Sequence, residues 1–214
     1  MGFEGAQVTQ TLSSHLPLKD EKNAVGLFVF HEEIGVSNYY DIYGNYAFRF
    51  QLGNGKVSLG LRAGVTLFQG NYTDIQSNPE ESVVDDVFLE NESELFPNAG
   101  FGAYYYSDKF YIGVSVPKLL SYEVKSSTKK MSVSPNNYDF LFTMGYLYSF
   151  SDKFRIKPSV LLRYRLDGTV QFDGSLNAIF IDAIWFGGSY RNNALVMMAE
   201  YQATDQIRAG VAYD

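Results

Sequence analysis

The connections between successive strands in this chain alternate strictly between two kinds. From residue 22 onward, period-two runs bounded by turn residues predict about a dozen strands. Gly53-Asn54-Gly55, Ser107-Asp108-Lys109 and Ser151-Asp152-Lys153 read as tight turns, whereas residues 71–97 and 118–137 read as far longer loops. Antiparallel neighbours send odd and even connections to opposite ends of a sheet, so both long loops fall at one end, the loop end, and the tight turns at the other, the turn end. A soluble sandwich has no cause to sort its loops in this way. A barrel of the outer-membrane kind does, because its periplasmic turns are short and its external loops long.

The strand patterns agree. Tyr46, Phe48, Phe50 and Leu52 alternate with Ala47, Arg49 and Gln51. Val57, Leu59, Leu61, Ala63, Val65 and Leu67 alternate with Ser58, Gly60, Arg62, Gly64 and Thr66, and Ile156, Pro158, Val160 and Leu162 with Arg155, Lys157, Ser159 and Leu161. Several runs are long enough to cross a bilayer when tilted, which takes roughly 9–11 residues, whereas strands of soluble proteins are most often 5–6 long. Aromatic residues gather beside the tight turns: Phe48 and Phe50, then Tyr104, Tyr105, Tyr106, Phe110 and Tyr111, then Tyr146, Tyr148, Phe150 and Phe154. A membrane–water belt is expected there. The polar face carries Arg62, Arg155, Lys157, Arg163 and Arg165, with Asp173 across from them. These would line a lumen, either as an anion-selective path or cavity for an acidic segment, or as a packed set of salt bridges.

Composition narrows the classes. A formal charge of −7 argues against nucleic acid, which is gripped by clustered Lys and Arg. No run approaches 18 apolar residues, so no transmembrane helix is expected. The absence of Cys suits an exported chain and, with His15 and His31 far apart, gives no zinc site. No cofactor motif or catalytic constellation is apparent: Ser13 and Ser14 near His15, and His31 beside Glu32 and Glu33, are isolated fragments, and Gly53-Asn54-Gly55-Lys56 lacks the P-loop spacing. The 71–97 segment holds eight carboxylates and no Lys or Arg, among them Asp85, Asp86, Glu90, Glu92 and Glu94. It reads as a docking surface for a basic partner, as a Ca²⁺ site, or as a solvated external loop.

The ordered segments resemble a known family. FGAYYYSDKFYIGVSVPKLL (101–120) is similar to the signature hairpin of the PorP/SprF-type outer-membrane proteins of the Bacteroidetes type IX secretion and gliding-motility machinery. GFEGAQVTQTLSSHLPL (2–18), KNAVGLFVFHEEIG (22–35) and GNYAFRFQLGNGKVSLGLRAG (44–64) resemble its earlier strands, and DAIWFGGSYRNNALVMMAEYQATDQIRAGVAYD (182–214) its late ones. The resemblance implies a non-enzymatic component of the cell outer membrane, needed for export or surface attachment of cargo that bears a C-terminal sorting domain. Its partners would be outer-membrane lipid, other secretion components and the cargo domain. The family's Asn-Pro-Ala-Tyr-type and Gly-Ser-His-Glu-type motifs are missing, Met1–Gly5 is unlike a signal peptide, and the last strand-like run has no partner in sequence. One all-β domain over 1–214, an antiparallel up-and-down transmembrane barrel truncated at both ends and lacking roughly two strands after the last, is therefore expected, since an open edge cannot face lipid. A general porin or small-ligand channel on the same scaffold, and a soluble all-β binding domain, are the alternatives.

Overall fold

Alternation of apolar and polar residues with period two is resolved by an extended strand, whose successive side chains point to opposite faces of a sheet. The computed structural model takes that solution throughout. It describes residues 7–19, 22–70, 92–125, 128–132, 138–191, 194–204 and 208–213, and no helix occurs among them. The strands are β1 (Val8–Pro17), β2 (Asn23–Ile34), β3 (Ser37–Leu52), β4 (Gly55–Gly70) and β5 (Glu92–Tyr106). They continue with β6 (Phe110–Val116), β7 (Ser121–Lys125), β8 (Thr128–Ser132), β9 (Asp139–Tyr146) and β10 (Tyr148–Ser151). The series ends with β11 (Phe154–Arg165), β12 (Val170–Phe180), β13 (Ile184–Arg191), β14 (Ala194–Gln202) and β15 (Arg208–Tyr213).

Thirteen of these form one sheet in the order β1-β2-β3-β4-β5-β6-β9-β11-β12-β13-β14-β15, with β10 also on β11; β7 and β8 pair only with each other. β9 and β10 occupy one position, since Ser159 of β11 faces Gly145 while Ile156 faces Tyr148. At the break between them, Leu147 N–H donates to Lys109 C=O at 2.6 Å. The sheet therefore has the dozen wall positions and the up-and-down order expected from the turn pattern. Two stretches read as loop are partly strand. β5 already begins at Glu92, and the 118–137 segment contains the β7–β8 hairpin. Pro97 and the run of acidic residues hid the first, because proline is rare inside strands and carboxylates blur the alternation.

The chain divides into two compact units. The first comprises residues 1–48, 61–100 and 119–133. Here register puts Leu12, Val29 and Ile42 in one transverse row and Leu16, Val25 and Tyr46 in another, all on one face. The opposite face carries Ser13, Phe28 and Tyr43 in line, then Thr11, Phe30 and Asp41. Leu12 is 65% exposed and Leu61 62% exposed, as are most of the large residues on that apolar face, while Tyr43 on the polar face is fully buried.

The start of the second long loop is held within this unit by the Asn98 side chain and by a backbone bond from Leu119 N–H to Ala99 C=O at 2.9 Å. Buried Asn98 accepts N–H bonds on Oδ1 from Ala99 (2.9 Å), Leu119 (2.9 Å) and Leu120 (3.1 Å), and its Nδ2 donates to Leu120 C=O at 2.9 Å. Asn98→Ala removes every one of these bonds. Exchange of the Leu120 amide is expected to quicken on the order of tenfold, since such a bond contributes about 1 kcal/mol, whereas the Leu119 amide keeps its second acceptor, Ala99 C=O at 2.9 Å, and changes less. Unchanged protection of the Leu120 amide in a hydrogen-exchange measurement contradicts this assignment.

The second unit comprises residues 49–60, 101–118 and 134–214. Its apolar face bears Met144, Val160 and Tyr190 in one row and Pro158, Leu176 and Met197 in the next. Rings meet in series along that face beside the turns: Tyr146–Tyr148, Tyr148–Phe150, Phe150–Phe154, Phe154–Phe180 and Phe180–Phe186, with centroids 4.9–6.5 Å apart. This is the belt expected at a membrane–water boundary. Three tyrosines expected in the belt are not part of it. Tyr104 aligns with Gly113 and Thr143, and Tyr106 with Tyr111 and Gly145, so all three rings lie on the polar face. Within Tyr104-Tyr105-Tyr106 the strand period sends only Tyr105 to the apolar side.

Among the described residues, Tyr43, Val116 and Ile179 are the only buried hydrophobic ones. A soluble domain of this length buries well over half of its unfolded surface around an apolar core. Here the apolar side chains form contiguous exposed faces, which require a non-aqueous solvent.

Candidate functional site

Because the apolar face faces lipid, specific chemistry falls to the polar face. In the first unit that face is organised around Arg62. Its guanidinium lies 3.8 Å from the Tyr43 ring centroid and 5.0 Å from that of Phe28. The Tyr43 hydroxyl is 3.3 Å from Thr66 Oγ1, which donates in turn to Asp41. Gly64 makes this arrangement fit: a Cβ there would stand 2.7 Å from Tyr43 Cα, so any side chain collides with the next strand. Arg62 Nε is enclosed without a hydrogen-bond partner among the described residues, and the guanidinium is held by π faces rather than by a carboxylate.

In the second unit the cations of the polar face are mostly neutralised. Arg165 meets Asp139 through Nε (2.9 Å) and Nη2 (2.8 Å), both directed at the one oxygen Oδ1. Arg191 Nε binds Asp173 at 3.0 Å, Arg208 lies 3.4 Å from Glu200, and Arg155 pairs with Asp182 in the β12–β13 turn. Arg163 donates to Gln171 Oε1 at 3.2 Å. Between these pairs runs a row of small residues, Gly145, Ser159, Ser175 and Ser189, with the two hydroxyls of Ser175 and Ser189 3.0 Å apart. Lys157 differs from the arginines. Its ammonium lies 5.3 Å from the Trp185 centroid and 6.0 Å from that of Tyr111, and Arg208 covers Trp185 at 4.4 Å.

The residues singled out from sequence are thus distributed unevenly. Arg155, Lys157, Arg163, Arg165 and Asp173 all fall on the polar face of the second unit, and Arg62 on that of the first. Asp173 meets Arg191, not one of the cations expected opposite it. Of the acidic set, Asp85, Asp86 and Glu90 lie outside the described residues; Glu92 opens β5, and Glu94 is half-buried two residues further along that strand. Asn98, Asp139, Trp185, Arg191 and Arg208 were not singled out. Alternation alone placed Asp139 and Arg191 on polar positions, but their partners lie on strands whose register sequence does not state.

Continuous antiparallel strands, one lipid-compatible face and an aromatic belt beside short turns describe an outer-membrane wall. A family model described as "Type IX secretion system membrane protein PorP/SprF" matches residues 1–214. The chain belongs to the PorP/SprF family. It is accordingly a β-barrel protein of the outer membrane and a membrane component of type IX secretion. PorP/SprF proteins constitute a secretion-component family, and membership implies contact with other components of that machinery. No curated protein matches the chain. No solved structure matches it.

Proposed function

We propose that this PorP/SprF protein acts without catalysis, in export or surface attachment of cargo bearing a C-terminal sorting domain, and that it serves gliding motility through the same route. The family match over residues 1–214 carries this reading. The paired charges on the polar face of the second unit support it, because arginines neutralised in place by Asp182, Asp139, Asp173 and Glu200 build a scaffold rather than a reaction centre. The functional test is deletion of the gene in its own host, followed by fractionation of sorting-domain cargo. Cargo retained in the periplasm is the expected result; normal surface display and normal gliding reject the reading.

Docking is assigned to the loop end, where variable surface exists, with Asp85, Asp86, Glu90, Glu92 and Glu94 attracting a basic partner. Replacing these five by Asn or Gln in the native host is expected to leave membrane insertion intact. Export should fall severalfold, with a deficit that depends on ionic strength, because exposed charges act over a Debye length of about 8 Å in physiological salt. Export at the wild-type level shifts docking to the polar face or the turn end.

A further inference from the structure

One cavity of the second unit is unlike the rest of the polar face. It has a volume of about 550 Å³ at the turn end, and Tyr104, Tyr106, Tyr111, Lys109, Asp108 and Lys157 line it.

 Lys157 brings a positive charge to the cavity without a carboxylate on it among the described residues, in contrast to Arg155, Arg165, Arg191 and Arg208. The hydroxyls of Tyr104, Tyr106 and Tyr111 also have no hydrogen-bond partner among the described residues, although each is a competent donor. The Tyr111 ring is laid flat against Gly145, where a Cβ would come within 2.5 Å of it, so its place beside Lys157 is imposed by the wall.

The geometry points to a binding site for a monocarboxylate with an apolar or aromatic body. One ammonium and neutral phenol donors match a single negative charge, whereas a phosphate dianion is normally met by several cations or an arginine fork. Lys109 adds no net charge at the rim, because Asp108 adjoins it. The tyrosine faces accept the body of the ligand. Such a carboxylate has two sources, the end of a polypeptide chain or a small free acid.

Trp185 is the single tryptophan of the chain and lies against Lys157, so its emission reports on the site without a label. The full chain in detergent or nanodiscs is titrated with N-acetyl-glycyl-phenylalanine, with the C-terminal amide of the same peptide, with 3-phenylpropionate and with inorganic phosphate. A saturable emission change is expected for the acids and not for the amide or phosphate. Tighter binding of the peptide acid than of phenylpropionate identifies a chain end as the source; equal binding identifies a small acid. Lys157→Gln and Tyr111→Phe are each expected to weaken binding by about tenfold or more, as loss of a hydrogen bond to a charged group does. Lys153→Gln, in the neighbouring turn, should leave it unchanged. Tyr111→Phe keeps Lys157 beside Trp185 and guards against a trivial change in emission. No saturable response to either acid, an equal response to the amide or phosphate, or wild-type binding in both variants overturns the proposal.

Discussion

Leu61→Arg is expected to abolish stable insertion of this protein, although Leu61 is 62% exposed in the structure. In water a substitution at so open a site costs within about 0.5 kcal/mol. On the lipid face of a barrel an arginine near the midplane costs roughly 2–4 kcal/mol, because the guanidinium must leave water or deform the bilayer. The neighbouring Arg62, one residue along the same strand, shows that β4 does tolerate arginine on its other face. The measurement is the folded fraction, by heat-modifiable electrophoresis, after refolding into lipid vesicles. Wild-type folding of Leu61→Arg in vesicles contradicts the assignment of that face to lipid. The same substitution in detergent micelles should be milder, since a micelle surface adapts to a buried charge more readily than a bilayer does.

Gly64→Val is the second large effect, and it arises on the polar face. A side chain at this position meets backbone of β3, with Tyr43 Cα 2.7 Å from the new Cβ, and no rotamer relieves the contact. Relief requires the β3 and β4 strands to separate or the Tyr43 ring to leave its buried place under Arg62. Overpacking of this kind costs about 1–3 kcal/mol, and backbone displacement places Gly64→Val toward the upper end. A urea titration of refolded protein in vesicles reads the loss as an earlier midpoint. Gly44→Ala provides the comparison: its nearest neighbour would be Ala63 O at 3.8 Å, an ordinary contact, and a midpoint close to wild type is expected. Equal midpoints for the Gly64 and Gly44 variants remove the packing argument for Tyr43 and Arg62.

Residues close in sequence carried most of the architecture. Side-chain direction along a strand has a period of two whatever the partner, so Leu59, Leu61 and Val57 could be assigned to one face and Arg62 to the other before any neighbour was known. Tight turns punctuated by glycine, asparagine and aspartate likewise declare themselves locally, and their alternation with long segments sets the up-and-down order. The same rule, applied residue by residue to Tyr104-Tyr105-Tyr106, divides the rings between faces. Reading them as a cluster near a turn does not.

Contacts across the sheet depended on register, which no single strand encodes. Asp173 meets Arg191 rather than Arg163, and Arg165 reaches Asp139, because β12 and β13, and β9 and β11, are aligned at those positions and not one pair of residues away. Lys157 lies beside Trp185 although residues 158–184, the whole of β12 among them, intervene. Asn98 holds Leu119 and Leu120 only because β5 and β6 return the chain to it. Period and turn chemistry are properties of the chain over a few residues, so sequence determined the faces, the strand order and the kind of solvent each face requires. Pairing of charges and the lining of the tyrosine cavity join residues of distant strands, and a shift of a single register step would have changed every one of them.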